Sequence, residues 1–219
     1  MQTVTATPRA NAPRVFAETP TTLTRALLAC GVVAGPLYLV VGVTQALTRR
    51  GFDITRHDLS LLSNGALGWI QISNLVVSGL LVLVAAVGMR RVLRAGRGRW
   101  WGPALVGVYG LGLIGAGIFT ADPALGFPPG TPADAHTISG HGLLHFICGG
   151  VGFLALIVAC LVLARRFAAV GRRGWAAYSV VTGWSSSRPS SASPRDRATA
   201  GPSLASGSGS SSPGRGSRR

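Results

Sequence analysis

The sequence has little charge and no lysine. Charged residues make up 12% of its 219 residues, whereas soluble domains carry about 25%. This shortage excludes a globular domain with a charged, water-facing surface. All 21 basic residues are arginine, which we interpret as the coding bias of a GC-rich genome. The net charge is +15, but most arginines lie at the ends of apolar segments, where they orient membrane helices, and we expect no nucleic-acid partner.

Cysteine is also scarce. Cys30, Cys148 and Cys160 all lie inside apolar segments, which excludes an extracellular disulfide framework and indicates small buried hydrophobic residues. A compact signal peptide is lacking too. Residues 1–24 are polar and contain three prolines, so we predict a disordered N-terminal segment.

Long apolar blocks dominate the rest of the chain. A helix that spans the hydrocarbon layer needs about 20 mostly apolar residues. Four blocks reach that length and a fifth stops short; they cover residues 26–47, 70–89, 102–121, 143–164 and 174–184. We therefore predict an all-α fold within 25–184: a polytopic transmembrane helical bundle with four complete spans and a truncated fifth, embedded in the lipid bilayer.

The loops between the blocks predict the orientation of the bundle. Loop 90–101 holds five arginines and loop 165–173 holds four, whereas 122–140 has two aspartates and no basic residue. Basic loops stay in the cytoplasm. Alternation of the spans then predicts a multi-pass plasma-membrane protein with a cytoplasmic N-terminus. The outer loop 48–69 departs from the rule, because it contains three arginines.

The composition changes abruptly after Trp184. Residues 185–219 are dominated by Ser, Arg, Gly and Pro, with one leucine and no aromatic residue. Such a segment cannot bury enough apolar surface to fold, so we predict that it is disordered. It is either a natural basic tail attracted to anionic lipids or the product of a frameshift. The interruption of the fifth block in mid-span favours the frameshift.

Polar residues that could carry chemistry collect at the outer side of the membrane. In the first outer loop, Asp53 is expected to cap a short helix running to about Leu62, whose leucines dip into the membrane interface. His57 and Asp58 would then lie near the outer surface. This stretch is interpreted either as a solvated interfacial loop or as part of a functional site.

The second span carries Gln71, Asn74 and Ser78 at positions i, i+3 and i+7, which lie on one helix face. We expect these side chains to face the bundle and to bond to neighbouring helices. Small residues are expected to let helices approach closely and could also support a helix-mediated homo-oligomer. They include the pair Gly31 and Gly35, and in the third span Gly107, Gly110, Gly112, Gly115 and Gly117.

The second outer loop suggests a metal site. Asp122 is expected to end the third helix, and His141 and His145 are spaced i, i+4 at the outer entry of the fourth span. Such a pair lies on one helix face and can bind zinc, with Asp122 as a third ligand. Alternatively, both histidines lie in the headgroup zone and are merely hydrogen bonded. The other candidate third ligands are His57, Asp58 and His136.

These same segments carry a resemblance to a known family. The runs RGFDITRHDLSLLSNGALGWIQISN, GLIGAGIFTADPALGFPPGTP and HGLLH, with GWAAYS downstream, resemble actinobacterial members of the family of domains of unknown function 998. The resemblance covers about 23–183 and implies a six-helix membrane protein without an assigned activity. The sequence departs from the family pattern after Gly183, which supports the frameshift interpretation. Matching positions are Asp53, His57, Leu59, Ser60, Gly68, Trp69, Gln71, Asn74, Asp122, Pro123, Gly126, Phe127, Pro128, His141 and His145.

Two functional hypotheses follow, and whether the protein is an enzyme stays open. The first is a non-enzymatic membrane protein, either transporter-like or an envelope component, because few charges lie inside the spans. The second is a membrane-embedded metal-dependent hydrolase, in which His141, His145 and an aspartate hold zinc at the outer face.

Overall fold

The computed structural model describes residues 19–96, 98–135 and 137–186. These residues form five α-helices and one short 3₁₀ helix and contain no strand. In chain order they are α1 (Thr22–Thr48), the 3₁₀ helix (Leu59–Ser63), α2 (Gly68–Val92), α3 (Trp101–Ile118), α4 (Gly140–Ala169) and α5 (Arg173–Ser186). Most of the predicted disordered ends, 1–18 and 187–219, lies outside the described residues, whereas 22–24 belong to α1 and 185–186 to α5.

The four predicted spans are confirmed. In the described part of the chain, α1, α2, α3 and α4 are the helices long and apolar enough to cross a membrane. The boundary of α3 differs from the prediction, because this helix ends at Ile118 and Phe119 has extended backbone angles. The prediction that Asp122 ends the third helix is therefore wrong. The last span-like element, α5, has 14 described residues.

Glycine lets the helices approach one another. Each helix packs against the next one along the chain, from α1 to α5. A Cβ atom on Gly79 of α2 would lie 2.6 Å from the carbonyl oxygen of Gly110 on α3. On α3, a Cβ on Gly112 would lie 2.8 Å from the Cα of Gly152 on α4. These contacts confirm that small residues bring the helix backbones together.

The two glycines of the predicted pair on α1 have different surroundings. A Cβ on Gly31 would lie 2.8 Å from the Cβ of Ala85 on α2, whereas a Cβ on Gly35 would meet nothing within 4 Å. Of these two glycines, therefore, only Gly31 belongs to a helix contact within the described chain.

A small apolar cluster closes the end of the bundle that carries loops 48–69 and 122–140, the two predicted outer loops. Its buried members are Ala46, Leu61, Leu62, Ala121 and Phe127. Leu62 and Phe127 are both 0% exposed. The expectation that the loop leucines dip into the membrane interface is thus wrong for Leu61 and Leu62, because the second outer loop covers them.

Arg49, one of the outer arginines that depart from the charge rule, also belongs to this end of the bundle. Its guanidinium donates to the carbonyl oxygens of Leu62 and Asn64, both at 2.6 Å. The same group lies 5.1 Å from the ring centroid of Phe127. Burial lowers the pKa of Arg49, but an arginine remains charged at neutral pH. Arg49 thus binds the carbonyls at the end of the 3₁₀ helix, a structural role that accounts for a basic residue in this loop.

Candidate functional site

His145 lies in the second turn of α4 and contacts the end of α3. Its Nδ1 lies 2.9 Å from the carbonyl oxygen of Ala116 and 2.8 Å from that of Phe119. These carbonyls have no partner inside α3, because the last C=O groups of a helix lack one. Since both partners are acceptors, Nδ1 carries a proton, and in the neutral imidazole Nε2 is then an acceptor. Although the residue is only 6% exposed, its imidazole keeps one lone pair available.

Asp122 connects the second outer loop to the start of α4. Its Oδ2 accepts from the backbone N–H of Ser139 at 2.7 Å, and its Oδ1 accepts from the Ser139 hydroxyl at 2.6 Å. That hydroxyl oxygen in turn accepts from the backbone N–H of Gly142 at 3.0 Å. A carboxylate at this position also interacts favourably with the positive end of the helix dipole. The hydrogen bonds therefore make Asp122 part of the N-terminal cap of α4.

The three residues of the predicted zinc site do not assemble around a common point. His141 is exposed, and its ring packs against Phe119 at 5.7 Å between centroids. Asp122 is hydrogen bonded to Ser139, and His145 binds the end of α3. Across the described ranges, no group of three His, Cys, Asp or Glu side chains could hold a metal ion. His136, another candidate ligand, lies outside the described residues.

His57 joins the two outer loops. Its Nδ1 accepts from the backbone N–H of Asp53 at 2.9 Å, so Nε2 carries the proton and donates to the carbonyl oxygen of Leu125 at 3.1 Å. Both ring nitrogens of His57 therefore have a hydrogen-bond partner. His57 is buried, and its ring lies 5.7 Å from that of Phe127. The imidazole acts as a structural connection between the loops.

Asp53 caps a single turn instead of the predicted helix. Its Oδ1 accepts from the backbone N–H and the hydroxyl of Thr55, at 2.9 and 2.6 Å. The hydrogen bonds from Thr55 lower the pKa of Asp53. The 3₁₀ helix begins only at Leu59, after Asp58 in an extended conformation. A helix running from Asp53 to about Leu62 is therefore wrong.

A buried network of amides joins α1 to α2. The Asn74 side-chain amide donates to the Tyr38 carbonyl at 3.1 Å and to Gln71 Oε1 at 3.2 Å. Gln45 Nε2 donates to the same Gln71 oxygen at 2.9 Å. Because the Tyr38 carbonyl can only accept, it determines which way all three amides point. Gln71 and Asn74 thus face the neighbouring helix, as predicted.

This network retains polar atoms that have no hydrogen-bond partner. Within the described chain they are Gln45 Oε1, Gln71 Nε2, Asn74 Oδ1 and Ser78 Oγ. The set contains both donors and acceptors, which suits internal water rather than a cation. Gln45 was not singled out from the sequence, although an amide within an otherwise apolar span is a sufficient signal.

A cavity of about 560 Å³ lies between the four long helices α1, α2, α3 and α4 and the first outer loop. Its polar lining consists of His57, Asp58, Ser60 and His145, and its aromatic lining of Tyr38, Tyr109, Phe146 and Phe153. Gly149 and Gly150 leave the space open, whereas Gly112 and Gly152 line it where α3 and α4 touch, and the remaining walls are aliphatic. No sequence pattern indicates either tyrosine, because only the packing of the helices brings them to this space.

The cavity separates the candidate residues into two groups. His57, Asp58 and His145 line it, whereas Gln71, Asn74, Asp122 and His141 do not. Asp58 is the N-terminal cap residue of the 3₁₀ helix, but its carboxylate makes no capping hydrogen bond. The cavity thus contains a carboxylate that is not used in capping and an imidazole with a free acceptor nitrogen.

Comparison with known proteins gives one match. A family model described as "Protein of unknown function (DUF998)" matches residues 32–186. No similar protein is found among curated proteins or among solved structures. The matched range includes every residue that lines the cavity.

Proposed function

The chain belongs to the DUF998 family of proteins of unknown function, and from its cavity we propose that it binds an amphipathic small molecule inside the membrane. This places the protein with transporter-like or binding proteins rather than with enzymes. The observation that carries the proposal is a cavity of about 560 Å³ with apolar and polar walls. Ligand sites typically occupy about 300–1,000 Å³ and combine apolar walls with a few polar groups.

The distribution of the lining residues supports an amphipathic ligand. Asp58 and Ser60 come from the outer loop, and His145 lies five residues after the start of α4. At about 1.5 Å per residue, His145 is roughly 8 Å into the helix. Phe153 lies two turns deeper on the same helix. A polar head would therefore face the loop, and an apolar chain would extend along α4.

The metal-dependent hydrolase is supported less well. Both oxygens of Asp122 accept hydrogen bonds from Ser139, and His141 does not line the cavity. The cavity itself offers the Nε2 atom of His145 and the carboxylate of Asp58 as possible metal ligands or bases, and no third such group. That hypothesis requires a rearrangement of Asp122, whereas ligand binding uses the lining residues as they stand.

Location and orientation are part of the proposal. We propose a plasma-membrane protein with a cytoplasmic N-terminus, supported by Arg90 and Arg91 in the last turn of α2. Arg90 also lies 3.4 Å from the ring centroid of Trp100, as expected for a basic and aromatic membrane boundary. Labelling of single cysteines introduced in loops 94–100 and 130–135 tests the orientation. Cross-linking of the same variants tests helix-mediated self-association.

Filling the cavity tests ligand binding. Gly150 lines the cavity, and a Cβ built on it meets nothing within 4 Å, so Gly150→Leu occupies the space without a backbone clash. The matched control is Gly35→Leu, because Gly35 also has an open surrounding but lies outside the cavity. Photoreactive dodecylammonium, dodecanol and dodecyl sulfate serve as separate probes for protein in lipid nanodiscs.

We expect saturable cross-linking of at least one probe to peptides that line the cavity. Gly150→Leu should abolish this labelling, and Gly35→Leu should leave it unchanged. Non-saturable labelling with all three probes, or equal labelling of Gly150→Leu and the wild type, would contradict the proposal.

A further inference from the structure

We infer that the ligand of this cavity carries a cationic amino group, and this inference rests on the proposed function. The group would be bound at the outer end of the cavity, where Asp58 and His145 contribute to the lining. The ligand class is thus a long-chain amine or ammonium compound.

The charge of the lining is the first argument. The whole chain has a net charge of +15, yet the lining contains one carboxylate, that of Asp58, and no arginine. An anionic head would face this exposed carboxylate with no cation in the lining to compensate, so the two like charges would repel each other. A cationic head would instead form a charge-assisted interaction with Asp58.

The hydrogen-bonding state of His145 is the second argument. Its Nδ1 proton is held by the carbonyls of Ala116 and Phe119, so Nε2 is an acceptor. The residue is more than nine-tenths buried and lines the cavity. As an acceptor, Nε2 favours a ligand with an N–H group.

The aromatic lining is the third argument. Tyr38, Tyr109, Phe146 and Phe153 supply four rings to one cavity. The face of an aromatic ring is electrostatically negative and attracts ammonium groups within about 6 Å. Of these rings, that of Phe146 lies beside the proposed head group, with its centroid 5.8 Å from that of His145, whereas Phe153 lies two turns deeper on α4. The carboxylate, the imidazole lone pair and this one ring favour the same sign of charge.

Comparison of the three dodecyl probes tests the sign of that charge. We expect wild-type protein to bind dodecylammonium more tightly than dodecanol, and dodecyl sulfate most weakly. Asp58→Asn keeps the size of the side chain and removes its charge. It should weaken dodecylammonium binding roughly tenfold, as expected for an exposed charge-assisted contact, and should weaken dodecanol binding by a much smaller factor, since the amide oxygen still accepts from a hydroxyl.

A second variant tests the role of His145. His145→Asn retains an N–H donor near the position of Nδ1, so the contact with α3 can persist, but it removes the Nε2 acceptor. We expect it to weaken dodecylammonium binding. Binding of dodecyltrimethylammonium should not change, because this head has no N–H to donate. Equal losses for both probes would contradict a role for Nε2 as the acceptor.

The outcomes separate the two proposals. If dodecanol or dodecyl sulfate binds as tightly as dodecylammonium, and Gly150→Leu still blocks them, the cavity binds amphiphiles but the preference for cations is wrong. If Asp58→Asn leaves dodecylammonium binding unchanged, the cationic head is not recognised by this carboxylate and the inference fails. If no probe binds saturably, the proposed function fails as well.

Discussion

The contact between α3 and α4 gives the sharpest prediction about stability. A Cβ on Gly112 would lie 2.7 Å from the carbonyl oxygen of Cys148 and 2.8 Å from the Cα of Gly152. Close carbon–oxygen contacts are about 3.3 Å or longer, and carbon–carbon contacts about 3.5 Å or longer. Gly112→Ala would therefore require the helices to separate by roughly 0.6–0.7 Å, because both obstructing atoms belong to the backbone.

The size of the effect follows from two opposing terms. Overpacking of this kind costs about 1–3 kcal/mol, whereas alanine favours a helix over glycine by about 1 kcal/mol. Gly149→Ala on α4 is the matched control, since its Cβ meets nothing within 4 Å and only the favourable term applies. The free energy of unfolding of Gly112→Ala should lie about 1–3 kcal/mol below that of Gly149→Ala.

Unfolding by sodium dodecyl sulfate in mixed micelles, followed by tryptophan fluorescence, measures this difference. Equal stability of the two alanine variants would refute the packing argument, because it would mean that the α3–α4 contact has room for a methyl group. A loss in both variants would point instead to a general sensitivity of this region to side chains.

Other predictions concern the outer loops. Arg49→Gln should lower the free energy of unfolding by about 1–2 kcal/mol, since a charged donor to two carbonyls is lost. The control is Arg50→Gln, because Arg50 is exposed, and it should change the free energy of unfolding by less than about 0.5 kcal/mol. Equal effects of the two variants would contradict the role of Arg49. Because the pKa of Asp53 lies below its usual 3.8, this carboxylate stabilises the fold above that pH and stops doing so as the pH falls through its folded pKa. Thr55→Ala should raise that pKa in an NMR titration, and an unchanged pKa would contradict the assignment to Thr55. Zinc analysis of the purified protein should find no stoichiometric metal, since Asp122 is held by Ser139 and no three possible ligands come together in the described chain; zinc that is lost in His141→Ala would favour the hydrolase instead.

Sequence alone was sufficient for the membrane helices because hydropathy is a local property. The apolar blocks are long enough to span whatever their neighbours are, so the bounds of α1, α2, α3 and α4 could all be predicted to within about five residues. The face shared by Gln71 and Asn74 was also predictable, since helical periodicity depends only on spacing along the chain.

The roles of the polar side chains depended on contacts between distant segments. Asp122 and Ser139 are 17 residues apart and His145 and Ala116 are 29 apart, so no local pattern could indicate these pairs. The i, i+4 spacing of His141 and His145 predicts a shared helix face. The contact of His145 with the carbonyl groups at the end of α3 decides which of its ring nitrogens is left for a ligand. The sequence by itself therefore determined that the chain crosses a membrane. Only the tertiary structure decided which carboxylate and which imidazole line one cavity, because side-chain partners depend on where each helix ends and on which neighbour it meets.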